Sequence, residues 1–116
     1  MVLIVRTEET MNVGQIAEKI YSSRHHVAKI LQRLAKSGFI TSSRGPSGGF
    51  SLKKDPSEIT LLDIYETIEG KLDVQSCPGD KELCPFDRKC LLGDLSHKVS
   101  SEVRKYMAEK KLSDFI

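Results

Sequence analysis

Cysteine is scarce in this 116-residue chain. Cys77, Cys84 and Cys90 fall within fourteen residues, and no other cysteine occurs. An odd, clustered count excludes a disulfide framework, which needs pairs, and points instead to a ligand loop for a metal centre that prefers soft sulfur donors. Long apolar runs are missing too. Nothing approaches the roughly 20 apolar residues of a membrane span, and Val2-Leu3-Ile4-Val5 is too short for the core of a signal peptide. The expectation is a soluble, cytoplasmic protein with no membrane partner, in a compartment where reduced thiols favour metal binding or reversible oxidation. The glycine-rich stretch at 45–49 lacks the Gly-Lys-Ser/Thr of a phosphate loop, and no paired acid–base constellation is present. An enzyme with a small-molecule substrate is therefore not expected. There is no internal repeat and no low-complexity segment.

Charge of one sign is not in excess overall: the formal net charge is +2. Residues 1–58 carry nine Lys/Arg against five Asp/Glu, and residues 59–116 nine against eleven. The front half is thus the candidate for a polyanion, although an asymmetry this small decides nothing alone. At 39% hydrophobic residues the chain can bury one modest core.

Asn12 precedes Val13, Ile16, Ala17 and Ile20, the spacing of one buried helical face behind a good N-cap, which predicts a helix over 13–20. Tyr21-Ser22-Ser23 interrupts it. A second period at Val27, Ile30, Leu31 and Leu34 ends at Gly38, a residue typical of the position past a helix end. Two helices joined by about three residues form a helix-turn-helix pattern. The outward face of the second helix offers Ser22, Ser23, Arg24, His25, His26 and Lys29 near its start, with Gln32, Arg33 and Lys36 further along. Such a helix presents donors to base edges and phosphates in a major groove, whereas an ordinary solvated face has the same composition.

Residues 39–43 and 50–52 read as two short strands around Arg44-Gly45-Pro46-Ser47-Gly48-Gly49. This β-hairpin wing favours the groove-reading alternative. Its glycines, with Ser47, let the backbone approach phosphates, and Arg44 can reach a minor groove. Pro56 closes the hairpin. Thr60 and Asp63 then form a capping-box arrangement, with Ile59 and Ile64 as a staple, opening a helix that stops at Gly70. Its core candidates are Leu61, Ile64, Tyr65 and Ile68. Past the cysteines, Leu92, Leu95, Val99, Val103 and Tyr106 repeat at three-four spacing, a long helix whose apolar seam suits pairing with a second copy. Leu112 and Phe115 are candidate anchors for the tail.

The expected fold class is mainly α with a small β-hairpin wing: a winged helix-turn-helix over 1–58, then a linking helix, the 77–90 loop and a dimerisation helix over 59–116. This order, with the Arg44–Phe50 wing, the Ile59–Ile64 helix start, Glu69-Gly70 and three spaced cysteines, resembles the Rrf-two family of winged-helix regulators of the IscR, NsrR and CymR type. The resemblance covers roughly residues 11–116. It implies homodimers on palindromic double-stranded promoter DNA and, in many members, an iron-sulfur cluster (2Fe-2S or 4Fe-4S) held by the loop cysteines, whose places Cys77, Cys84 and Cys90 occupy. Members normally begin with a helix of three or four turns, so the chain looks shortened at its N-terminus. In NsrR-like members an acidic residue of that helix completes the cluster; in IscR-like members a histidine three residues past the last cysteine does so. Here that place is Gly93; His97 is seven residues past Cys90, about 10 Å along a helix, and Asp94 is the nearer candidate.

The leading expectation is a dimeric regulator, read as a repressor, whose cluster reports iron-sulfur, nitric oxide or redox status. A second keeps the fold but makes the loop a thiol switch, with Lys89 favouring the Cys90 thiolate, or a zinc site completed by an Asp. A third, an iron-sulfur electron carrier, lacks the four cysteines usual for that role.

Overall fold

In a computed structural model, residues 1–7, 9–72 and 95–116 are described. Helix α1 (Val2–Arg6) buries Ile4 and lays Val2, Leu3 and Val5 on the core. Helix α2 (Val13–Lys19) starts at Asn12, whose side chain accepts from Gln15 N while Gln15 Oε1 accepts from Asn12 N. This reciprocal box satisfies two of the amides that a helix start leaves without partners. Ile20, expected inside the helix, is its C-cap and is half exposed.

Helix α3 (Arg24–Lys36) begins at Ser23, whose hydroxyl accepts from His26 N at 3.2 Å. Between the two helices Tyr21 adopts φ 53, the left-handed region that costs an L-residue roughly 1–2 kcal/mol. The turn is held by Tyr21 N donating to Glu18 O and Ser22 N to Ala17 O. Ile16 and Ala17 of α2 pack with Val27, Leu31 and Leu34 of α3, all buried.

Strands β1 (Ile40–Ser43) and β2 (Gly49–Leu52) are antiparallel, with Ile40 opposite Leu52 and Ser43 opposite Gly49. Met11 adds a third edge: its N donates to Phe50 O at 3.2 Å and Phe50 N to Met11 O at 2.8 Å. That approach explains Gly49, because a Cβ there would stand 2.6 Å from the Met11 carbonyl carbon. The wing base is therefore fastened to the segment ahead of α2.

A 3-10 turn, Pro56–Glu58, follows, capped by Asp55, whose carboxylate accepts from Ser57 Oγ at 2.6 Å and Ser57 N at 2.8 Å. These bonds hold the Asp55 pKa below its ordinary value. Helix α4 (Leu61–Glu69) opens on the expected Thr60–Asp63 box, 3.0 Å in both directions, and ends at Gly70 with φ 88. Its inward face departs from the expected set of Leu61, Ile64, Tyr65 and Ile68. Leu62 is buried and Ile64 and Ile68 pack on the core, while Leu61 and Tyr65 are half-buried.

Helix α5 (Leu95–Glu109) runs back along α4 and is pinned at its end, where Leu61 N donates to Lys110 O at 2.9 Å and Leu112 N to Ile59 O at 2.8 Å. Ile59 and Leu112 are both fully buried, and Arg6 Nε donates to Phe115 O at 2.9 Å, so the tail is anchored. Among the described residues no helix is long and apolar enough to cross a membrane.

Candidate nucleic-acid interface

Residues 19–54 contain eight Lys/Arg and no Asp or Glu: Lys19, Arg24, Lys29, Arg33, Lys36, Arg44, Lys53 and Lys54, every one exposed. The acid-free run begins where α2 ends and finishes past β2, so a single span of chain builds both the outward face of α3 and the wing. Splitting the sequence at residue 58 dilutes this signal with acids that precede and follow it. A run of exposed cations without neutralising acids creates the positive potential that attracts a polyanion.

On α3 the expected residues divide by geometry. Ser23 is occupied as the N-cap, and Ser22 is half-buried in the turn. Arg24, His25, His26 and Lys29 are exposed. The Arg24 guanidinium lies back over the start of α2: a Cβ built on Gly14 would be 3.3 Å from Arg24 Cζ and Nη2. Glycine at position 14 thus leaves room for the Arg24 head beside Asn12. Lys29, Gln32, Arg33 and Lys36 line a shallow groove along the helix. Within it Arg33 is not wholly free, since its Nη1 donates to Ile68 O of α4 at 2.7 Å.

At the wing tip Arg44, Gly45 and Ser47 are exposed and Gly48 is half-buried. Gly45 has φ 113, and Gly48 N donates back to Gly45 O at 2.9 Å, closing the tip. Thr10 Oγ1 donates to Ser47 O at 3.0 Å. A polar recess lined by Thr10, Asn12, Gln15, Pro46, Ser47 and Gly48, with Glu9 at its side, lies between the tip and the start of α2. Thr10 was not among the sequence candidates, because its partner is 37 residues away.

Cys77, Cys84 and Cys90, with Gly93 and Asp94, lie outside the described residues. Among the described residues no group of three or more His, Cys, Asp or Glu comes together to hold a metal.

Comparison with known proteins agrees with this architecture. Residues 1–116 match the family described as Rrf2, iron-dependent transcriptional regulator. The transcriptional regulator NsrR of Bacillus subtilis is 30% identical over 104 residues, covering 89% of this chain and 69% of that protein. IscR of Photorhabdus laumondii is 28% identical over 109 residues, covering 94% of this chain and 66% of IscR, so the chain spans just under two thirds of that relative. Among solved structures, CymR, the global cysteine regulator of B. subtilis, superposes with a TM-score of 0.75 at 23% identity, covering 97% of this chain and 84% of CymR. That likeness concerns the fold, and the family match extends it to the whole sequence: the chain belongs to the Rrf2 family of winged-helix transcriptional regulators.

Proposed function

We propose that the protein is a homodimeric, cytoplasmic transcriptional repressor that grips double-stranded promoter DNA through α3 and the wing. The observation that carries this reading is the exposed, acid-free run of eight cations over residues 19–54. His25, His26 and Lys29, at the start of α3, face the base edges. Arg24, beside Gly14, serves as a phosphate contact, and Arg44 with the Gly45–Gly48 tip follows the neighbouring backbone. Phosphate contacts position the protein and base contacts choose the sequence, so the two groups differ in what their loss does. A second copy covers the apolar face of α5, where Leu95, Val99, Val103 and Tyr106 are 44–57% exposed.

The proposal extends to the cysteine loop. Three thiolates separated by six and five residues form a donor set suited to an iron-sulfur cluster, and would hold it as Cys77, Cys84 and Cys90. When bound, such a cluster supplies sensitivity to oxidants and nitric oxide. The chain supplies the fixed ends of the loop, α4 on one side and α5 on the other. Anaerobic purification followed by iron and sulfide counting tests this part. Two or four irons with matching sulfide per chain are expected, whereas one zinc, or no metal, would assign the loop to zinc or thiol chemistry.

Anisotropy with labelled duplexes, selected by the full chain from a random pool, tests DNA binding. Lys29→Ala and Arg44→Ala are each expected to weaken binding; loss of Arg44, a phosphate contact, lowers the log–log salt slope by about 1, whereas loss of Lys29 relaxes the choice of sequence. Equal affinity of both variants with the parent chain would remove the reading.

A further inference from the structure

The last turn of α4 lies between the cation-bearing helix and the helix that leaves the domain with an uncovered apolar face. Two guanidiniums converge on it. From α3, Arg33 Nη1 donates to Ile68 O at 2.7 Å. From α5, Arg104 Nη1 donates to Glu66 Oε1 at 2.9 Å and to Leu72 O at 3.0 Å, while the same Glu66 oxygen accepts from Leu72 N at 3.3 Å. The end of a helix leaves its last carbonyls open to outside donors, which is why Ile68 O can receive Arg33. Gly70, at φ 88, turns the chain so that Leu72 comes back beside Glu66.

Among the described residues, two fastenings of helix α5 to α4 stand out. One is the backbone pinning of Lys110 and Leu112 to the start of α4; the other is Arg104 on Glu66. Residues 95–103, about 13 Å of helix, precede the second fastening and carry the exposed Leu95, Val99 and Val103. Arg104 therefore contributes to setting the angle at which this segment leaves the domain. Arg33 fixes α3 to the same turn of α4 from the other side.

We infer that Glu66, Arg104 and Arg33 are positioning residues that set the separation of the two recognition helices in the dimer, and with it the operator spacing the protein accepts. This rests on the dimeric DNA-binding reading above. A tilt of about 15° on a lever of about 13 Å, the length of residues 95–103, moves its end by about 3.4 Å, the rise of one base pair. Paired half-sites must lie roughly 34 Å apart, so looseness at Arg104 becomes tolerance of a misplaced half-site. The geometry also separates Arg33 from the other cations of α3, because its guanidinium is engaged by Ile68 O rather than turned to a phosphate.

The experiment measures affinity of the full chain for its selected palindromic duplex and for the same duplex with one base pair inserted between half-sites. The parent chain is expected to lose about tenfold or more on insertion. Arg104→Met and Glu66→Gln are expected to reduce that penalty to about threefold or less, and the reversed pair Glu66→Arg/Arg104→Glu to restore much of it. Arg33→Met should relax spacing likewise while leaving the salt slope unchanged, which loss of a phosphate contact would not do. Glu66→Gln keeps the side-chain shape and serves should Arg104→Met fail to fold. Retention of the parent penalty by Glu66→Gln and Arg104→Met overturns the inference while dimeric DNA binding stands. Failure of the full chain to select any palindromic duplex overturns both.

Discussion

Helices α3 and α5 carry the same kind of apolar repeat and end in opposite situations. On α3, Val27, Leu31 and Leu34 are 2–3% exposed, covered by α2, the wing base and α4. On α5, Leu95, Val99, Val103 and Tyr106 remain 44–57% exposed although Arg104 and the Lys110–Leu112 segment are firmly held. An apolar stripe announces that a face is to be covered, but says nothing about which chain covers it. For α3 the cover is internal. For α5 the proposal above assigns it to a second copy.

Substitutions on the two stripes sharpen the contrast. Leu31→Ala removes a fully packed side chain and is expected to cost about 2–5 kcal/mol of unfolding free energy in urea titrations. The corresponding change on α5, Val103→Ala, should stay within about 0.5 kcal/mol for the isolated chain. Val103→Glu is expected to raise the dimer dissociation constant by about 30-fold or more, read by sedimentation equilibrium, because it places an unpaired charge in the shared face. An unchanged constant would mean that this stripe is not the interface.

Two smaller effects concern the turns that aim these helices. Thr60→Ala removes one half of the box at the start of α4 and is expected to cost about 1 kcal/mol. Tyr21→Gly runs the other way. It relieves the left-handed backbone at φ 53, and Tyr21 is 97% exposed with little packing to lose, so a gain of up to about 1 kcal/mol is expected in thermal melts. A loss there would show that Tyr21 holds the turn by contacts of its own.

Much of this was legible in the sequence because it is local. Asn12 as an N-cap, Thr60 with Asp63, Gly70 and the glycine-rich wing tip all act within a few residues, and their elements stand where the sequence signals put them, within one or two residues. What escaped is long-range. Leu62 rather than Leu61 is the buried residue of α4, set by tertiary packing that the spacing within the helix does not report. Gly49 is required by the Met11 backbone, 38 positions earlier, which no spacing rule reports. Arg33 reads as another surface cation until Ile68 O is seen to receive it. The candidate site was half legible: the residue types on α3 and the wing were plain, but the acid-free run only stands out once α2 and β2 mark its ends.

The most direct test of the account is a stoichiometric titration of the full chain into its selected palindromic duplex, followed by anisotropy at low salt. Two chains per duplex are expected, with affinity falling steeply as salt rises. Saturation at one chain per palindrome, or an affinity indifferent to salt, would contradict it.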